Sequence, residues 1–338
     1  MALYCGIDLH SNNSVVSVLD ESDRTLWEAR LPNDLDTVVA GLSPYREALL
    51  GCVVESTYNW YWLVDGLMDA GFTVHLAHPA AMVQYQGLKY SDDHSDARHL
   101  ARMLRLGLLA QGYIYPKAQR AVRDVLRRRL LMVNQRSRQQ ISLQSLIARH
   151  TGRRLSTNEM RQLSGARIEQ LLGDGTVAMS AQLSLDVIQA LNHAIDTLER
   201  TAYQHAKEVR DYALLTTIGG VGKVLGMTIA LETGDIERFA DAGHYASYAR
   251  CVKSERVSNA KRKGEGNRRN GNRYLAWAMF EAGHFATIWE PRVKRYYQRK
   301  AAKSHVMVAK KAIANKLARA CYHMLTRQQP FDVRRAFA

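Results

Sequence analysis

The sequence predicts an α/β domain followed by a mostly helical remainder. Two observations carry that expectation. Residues 3–78 alternate short apolar runs with turn residues and amphipathic stretches, and residues beyond 117 keep apolar positions at three- and four-residue steps. A third, the distribution of charge, points to the kind of partner such a chain meets.

Leu3–Leu9, Ser14–Leu19 and Thr25–Leu31 read as three strands, split by Ser11-Asn12-Asn13 and by Asp20-Glu21-Ser22-Asp23, links short enough for hairpins. Residues 35–49 suit a helix, Gly51–Glu55 a short buried strand, Trp60–Ala70 a helix and Phe72–Ala77 another strand. The order β-β-β-α-β-α-β is that of the ribonuclease H and RuvC-like folds, an order that by itself serves many functions. Asp93–Leu109 reads as a helix, with Asp92 or Asp93 near an N-terminus whose dipole favours negative charge. An arginine-rich helix follows over Lys117–His150, and Gly152, Gly165, Gly173 and Gly175 break the next stretch into turns and a short helix.

From Leu185 the positions Ile188, Leu191, Ile195, Leu198, Ala202 and Val209 form a coiled-coil seam, which serves either self-association or folding back onto the arginine-rich helix. Beyond it, Gly219-Gly220-Val221-Gly222 between two apolar stretches resembles a helix-hairpin-helix, whose exposed amides can hold a DNA phosphate; tight packing is the plainer reading. It is not a Walker loop, because Val224 stands where Ser or Thr would bind metal. Trp277, His284, Phe285 and Trp289 fall on a helix, mostly as core. Arg292–Lys300 interleaves Tyr296 and Tyr297 with cations, which suits stacking on unpaired bases, and Ala309–Leu325 closes the chain as a helix. A chain of 338 residues exceeds what one core serves efficiently. The expected parts are 1–115, an α/β domain, 116–212, a helical and coiled-coil region, and 213–338, a basic and mostly helical domain.

The net charge is +15 and the pI about 9.7, which predicts a polyanionic partner. Residues 251–338 hold 21 Lys and Arg against 5 Asp and Glu, so the last quarter carries the whole excess. A second cluster, Lys117–Arg154, holds 11 basic residues, Arg127, Arg128 and Arg129 among them, against Asp124 alone. A solvated helix face usually mixes signs, so both regions are read as nucleic-acid contacts. Neither shows the wide apolar face of a membrane-surface helix. No leader-like or membrane-spanning run is present, and Cys5, Cys52, Cys251 and Cys321 lack metal-site spacing. The expectation is reduced core thiols in a soluble protein of the bacterial cytosol or nucleoid.

Four carboxylates carry the chemistry. Asp8 lies within the apolar strand Tyr4–Leu9, where an unpaired charge is costly, so it needs a partner or a metal. Glu55 closes its strand and projects from the C-terminal edge of the sheet, where open α/β sheets place ligands. Asp93 and Asp96, three apart, share a helix face. Oxygen ligands without His or Cys suit Mg²⁺ or Mn²⁺, and two such ions about 3.5 to 4 Å apart stabilise both oxygens exchanging at a phosphorus atom. Taken singly, each acid has a blander explanation: Asp93 as a helix cap, Asp96 paired with Arg98 or Arg102, Glu55 paired with a Lys.

Gly6-Ile7-Asp8, Val54-Glu55-Ser56-Thr57 and Asp93-His94-Ser95-Asp96-Ala97-Arg98 resemble the D-E-D-D pattern of the Piv-type insertion-sequence transposases, which include bridge-RNA-guided recombinases. Ile218–Gly222, Phe239–Tyr248, Val257-Ser258-Asn259 and Lys263–Leu275 are similar to that family's C-terminal transposase domain in order and spacing. The resemblance implies a DNA transposase or recombinase with Ser258 as the nucleophile forming a phosphoserine link, and Asp8, Glu55, Asp93 and Asp96 binding Mg²⁺. It also implies a structured bridge RNA that selects target and donor double-stranded DNA, and a homo-oligomer, dimer or tetramer. Many relatives carry Ser-Gly where this chain has Ser258-Asn259, and Asn tolerates left-handed backbone. Asp92 competes with Asp93 as third ligand; the D-x-x-D-A spacing favours Asp93. Lys223, Lys253, Arg256, Lys261, Arg262, Lys263, Arg268, Arg269 and Arg273 join the three arginines of 127–129 as expected nucleic-acid contacts, those around Ser258 binding the scissile phosphate. The alternative is a metal-dependent, junction resolvase-like nuclease that uses water and no serine.

Overall fold

A computed structural model describes residues 1–78, 81–82, 92–173, 175–265 and 270–337. The chain divides into two units, Met1–Lys117 and Ala118–Ala338.

In the first unit, strands β1 (Leu3–Leu9), β2 (Asn13–Asp20) and β3 (Thr25–Pro32) form an antiparallel meander. Strands β4 (Leu49–Glu55) and β5 (Val74–Ala77) add in parallel beside β1, and the two-residue β6 (Gln111–Gly112) closes a mixed sheet ordered β3-β2-β1-β4-β5-β6. The strands lie where the apolar runs predict them; β6 is too short to leave a pattern. The expected helix over 35–49 is α1 (Leu35–Leu42), capped by Asp34, followed by a separate 3-10 turn over Ser43–Ala48. Pro44 accounts for the break, since it has no N–H to continue the helical ladder.

The strand period of two sorts β1 onto two faces. Cys5, Ile7 and Leu9 pack against Val38 and Leu42 of α1 and against Leu63, Val64 and Leu67 of α2 (Tyr61–Asp69). The opposite face, with Gly6 and Asp8, is covered by α3 (Asp93–Arg105). A Cβ built on Gly6 would stand 2.0 Å from the Ala97 carbonyl oxygen and 2.6 Å from the Ala101 nitrogen. Glycine is therefore required for this approach of helix to strand. Ion pairs fix the slide of α3 along the meander: Arg102 and Arg105 meet Asp23, Arg98 meets Glu28, and at the N-terminal end of the ladder the signs reverse, with Asp93 meeting Arg30.

Among the described residues, the second unit is helical apart from one hairpin. The arginine-rich helix is α4 (Lys117–Thr151); after the short α5 (Thr157–Arg161) and α6 (Gly165–Leu172), α7 (Gly175–Gln204) returns antiparallel to it. Leu143 and Ile147 pack with Leu185 and Ile188, Arg136 donates to Asn192, and Arg129 pairs with Glu199. The predicted seam thus folds back within the chain. Next come α8 (Tyr212–Leu215) and α9 (Lys223–Thr233), joined through the glycine turn, then α10 (Ala242–Tyr248) and the hairpin strands β7 (Arg256–Ser258) and β8 (Lys261–Gly264). Helices α11 (Arg273–Trp289), α12 (Pro291–Lys303), α13 (Val306–Arg327) and α14 (Val333–Ala336) complete the chain. Ile229, Tyr245, Leu275, Met279, Ile313 and Leu317 form the centre of their shared core. Trp277 packs on it, whereas Phe285 and Trp289, expected as core, are exposed on α11. Tyr296 stacks edge-on against Phe337, and Tyr297 also packs on this core. Both rings are partly buried in this packing and partly exposed.

One charged network is buried in this unit. Glu232 of α9, 2% exposed, accepts from Arg123 at 3.0 Å, from Arg127 at 2.6 Å and from Asn272 at 2.7 Å. Burial alone would raise its pKa, but the two guanidiniums and Asn272 outweigh that and hold it below the ordinary glutamate value.

Two expectations follow. Gly6→Val forces β1 and α3 apart and costs about 3 kcal/mol or more, read as a lowered denaturation midpoint of the first unit. Glu232→Ala leaves two guanidiniums without their shared partner and costs about 3–5 kcal/mol, read by denaturant unfolding of the full chain.

Candidate active site

Asp8 and Glu55 sit at the ends of two neighbouring parallel strands, since Ile7 of β1 is in register with Val54 of β4. Both side chains therefore emerge at the same C-terminal edge. Asp8 is 4% exposed. The close seat of α3 over Gly6 then brings the first turn of that helix, with Asp93 and Asp96, over the same edge.

The electrostatics register the crowding. Burial, followed by a hydrogen bond to Asp8 and the charges of Asp8 and Asp96, raises the Glu55 pKa to about 7. Glu55 as the neutral acid donates to the Asp8 carboxylate, so the two share one proton. Asp8 is raised chiefly by burial, with Asp93 adding to the shift while Glu55 and His10 oppose it. Asp96 is raised by burial and then by Asp8 and Asp93. Asp93 alone moves down, held by its hydrogen bond from Arg30 at 2.6 Å and by His10.

The structure thus draws all four predicted carboxylates into one interacting group. The blander readings of each acid meet different partners. Asp92 is the helix cap, its side chain accepting from the Ser95 amide at 2.7 Å in a capping box, so Asp93 is left to face the cluster. Arg98 and Arg102, offered as partners for Asp96, pair with Glu28 and Asp23. Glu55 meets Asp8 and not a lysine.

Sequence reasoning missed His10. Its Nε2 lies 3.2 Å from Asp8 Oδ2 and 3.3 Å from Asp93 Oδ1. Ligand atoms of Asp8, His10 and Asp93 all fall within 4.8 Å of one another, a spacing that fits a divalent cation. The signal available was its position two residues after Asp8, the spacing that keeps a side chain on one face of an extended segment. Arg30 was missed as well, for it reaches Asp93 from β3 across 63 residues of sequence.

In the second unit, Ser258 ends β7 and is exposed, paired with Lys261 across a two-residue loop. It closes the short strand Arg256-Val257-Ser258, whose partner strand opens with three cations in a row, a pattern that hides the pairing in the sequence. Asn259 and Ala260 have φ of 51° and 54°, the positive values a tight two-residue hairpin turn demands. The ends of the segment bearing this hairpin are clasped: Arg250 donates to the Asn270 and Gly271 carbonyls, and Asn272 caps α11 while bonding Glu232.

Lys253, Lys261, Lys263 and Arg273 are exposed around or after the hairpin, and Lys223 is exposed at the first turn of α9 beside the Tyr203 ring. Arg256 and Arg262 lie on the hairpin strands. Arg268 and Arg269 fall outside the described residues. Of the three arginines 127–129, Arg128 is exposed, while Arg127 pairs with Glu232 and Arg129 with Glu199. The four cysteines are buried free thiols.

Comparison with known proteins gives these two regions a common identity. A transposase family of the DEDD type found in IS110 elements matches residues 5–151, which include all four carboxylates. The transposase IS116/IS110/IS902 family matches residues 212–298, which include Ser258. A Streptomyces coelicolor protein assigned as the mini-circle putative transposase for IS117 is 23% identical over 420 aligned residues, covering 100% of this chain and 97% of that one. The uncharacterized 43.6 kDa protein of insertion element IS110 from the same organism is 33% identical over 90 residues, 27% of this chain and 22% of its own. The fold and the two matched regions define a transposase, an enzyme that acts on DNA. The chain belongs to the IS110 family of transposases. Among the described residues no helix is long and apolar enough to cross a membrane.

The shared proton sets a pH dependence. Glu55 has a folded pKa of about 7 against an ordinary value of 4.5. Its contribution to stability is therefore complete below the unfolded value and is lost as pH rises through the folded one. In the presence of a chelator, the melting temperature of the wild type falls between pH 6 and pH 8, roughly the window around that folded value, and Glu55→Gln flattens the fall. Calorimetry across that range reads both.

Proposed function

We propose that this transposase cuts and rejoins DNA through a covalent phosphoserine link at Ser258, with Mg²⁺ or Mn²⁺ held by Asp8, Glu55, Asp93 and Asp96. The observation that carries the proposal is the convergence of four carboxylates, one of them deeply buried, at one edge of the sheet. Like charges gathered at this cost fit a cation that offsets them. The antiparallel meander followed by two parallel strands supports reading the first domain as RuvC-like. The expected division at about residues 115 and 212 remains part of this reading.

A divalent cation bound there supplies positive charge against the phosphate and orients it. The chain's own residues account for the rest. Ser258 Oγ bonds to phosphorus as the bond from phosphorus to the leaving sugar oxygen breaks; the hydroxyl proton passes to solvent and the departing oxygen takes one up. Lys253, Lys261 and Lys263 favour the ionised serine oxygen and the charge that develops on the phosphoryl oxygens. Rejoining runs the same exchange with a new sugar hydroxyl as attacking group. The turn before α9, with Lys223 at its start, suits a DNA phosphate as in a helix-hairpin-helix. The family resemblance, together with the basic excess of residues 251–338, supports a structured bridge RNA that selects target and donor duplexes, and a dimer or tetramer as the working form.

Ser258→Ala is expected to abolish covalent protein–DNA adducts on denaturing gels and to leave RNA binding intact. Adducts persisting in that variant would sink the serine assignment, and Mg²⁺-dependent cutting without adducts would favour the hydrolytic, resolvase-like alternative. Asp8→Asn is expected to reduce strand joining about 100-fold or more while the serine hairpin stays folded.

A further inference from the structure

We infer that His10 is itself a metal ligand, so that the centre in the first unit is a mixed nitrogen and oxygen site built on Asp8, His10 and Asp93. The inference rests on the reading of the carboxylate group as a divalent-metal centre and specifies its donor set.

Three independent features of His10 support it. Its Nε2 is buried although the side chain as a whole is 36% exposed, and it makes no hydrogen bond among the described residues. Carboxylate oxygens of Asp8 and Asp93 stand 3.2 and 3.3 Å from it, one from each acid. A buried ring nitrogen set between two carboxylates, with all three ligand atoms within 4.8 Å of one another, is in the position of a lone-pair donor to a cation that all three share.

The second feature is the mounting. His10 follows directly on β1, and its carbonyl oxygen accepts from Asn33 Nδ2 at 3.0 Å and from Asn59 Nδ2 at 2.9 Å. Those two side chains are themselves held, Asn33 by Ser14 and Asn59 by Thr57. Its amide donates to the Asn13 carbonyl at 2.9 Å. The backbone of this one residue is thus gripped from the loops after β3 and β4, the outer-shell support that orients a ligand.

The third is the division of labour at Asp93. Its Oδ2 is taken by Arg30, which is also tied to Asn13, leaving Oδ1 turned toward His10. One oxygen of Asp93 is occupied in fixing the carboxylate and the other is placed to ligate. Glu55 and Asp96 complete the group as the remaining carboxylates, within electrostatic reach of Asp8.

An imidazole donor changes what the site prefers. Carboxylates alone suit Mg²⁺ or Mn²⁺, whereas a nitrogen ligand shifts preference toward Fe²⁺ and the later divalent transition metals. The test uses the full chain loaded with Mn²⁺ as a spin probe, with electron spin-echo modulation as the readout. The wild type is expected to show ¹⁴N modulation from a bound imidazole, which ¹⁵N-histidine labelling removes. His10→Gln, which keeps the backbone carbonyl that Asn33 and Asn59 grip, is expected to lose the modulation and to bind Mn²⁺ about tenfold or more weakly by calorimetry. Modulation that survives in His10→Gln would assign the nitrogen to another imidazole and overturn the inference. If Mn²⁺ binding depends on Asp8 but shows no ¹⁴N coupling, His10 is not a ligand and the all-carboxylate reading stands. If binding does not depend on Asp8, both readings fall. The labelled wild type needs no variant, so the test holds even if His10→Gln folds poorly.

Discussion

At Gly6 the backbone of β1 meets the backbone of α3 so closely that a single methyl group there would overlap the Ala97 carbonyl. The rest of the first unit is organised around that contact. Because the helix can come no nearer and has no reason to sit farther away, its first turn is carried over the strand end where Asp8 and Glu55 emerge. Packing of Leu100, Met103 and Val53 on that face thereby holds together acids that would otherwise separate. The molecule relieves the repulsion in two ways: a proton held between Asp8 and Glu55 and a guanidinium on Asp93. Each relief is partial, which leaves the edge ready for a cation.

Much of this was legible in the sequence, and what was not has a physical cause. The strands of the meander and of β4 announce themselves as short apolar runs bounded by turn residues, and they lie where those runs are. The four acids could be singled out because a charge inside an apolar strand and a pair three apart on a helix are local patterns. For His10 the sequence held only its place two residues after Asp8, because its meaning depends on Asp93, far along the chain, and on two asparagines that grip its backbone. The β7–β8 hairpin was hidden for a different reason. Lys261, Arg262 and Lys263 give it no alternation of apolar and polar residues, so strand pairing there is held by its turn and its anchored ends and leaves no apolar trace. The role proposed for Ser258 rests on family resemblance alone; nothing in its immediate chemistry distinguishes it from other exposed serines.

In the second unit the buried network and the hairpin are linked. Asn272 bonds Glu232 with its amide nitrogen and caps α11 with its oxygen, so the same side chain fixes the end of the hairpin-bearing segment and completes the shell of the buried acid. Arg250 closes the segment at the same base by holding the Asn270 and Gly271 carbonyls. A hairpin that stands exposed and carries mainly positive charge repels itself; clasping both of its ends onto a rigid core limits where its tip can go. That arrangement suits a reactive group that must be presented to a large ligand and still be held in place.

The pairing of Arg123 and Arg127 with Glu232, and of Arg129 with Glu199, bears on how the chain meets a polyanion. A cation already neutralised by a carboxylate of its own molecule displaces few ions from a phosphate backbone, because its field is largely cancelled before the backbone arrives. The formal charge of +15 is right in sum but says little about where the working cations lie. On α4, Arg123, Arg127 and Arg129 are structural struts, which leaves exposed cations such as Arg128, Arg138 and Arg149 of that helix, with the exposed lysines and arginines elsewhere, to free salt from a nucleic acid. The steepness with which affinity falls as salt is added is thus set by a smaller number of side chains than the sequence displays.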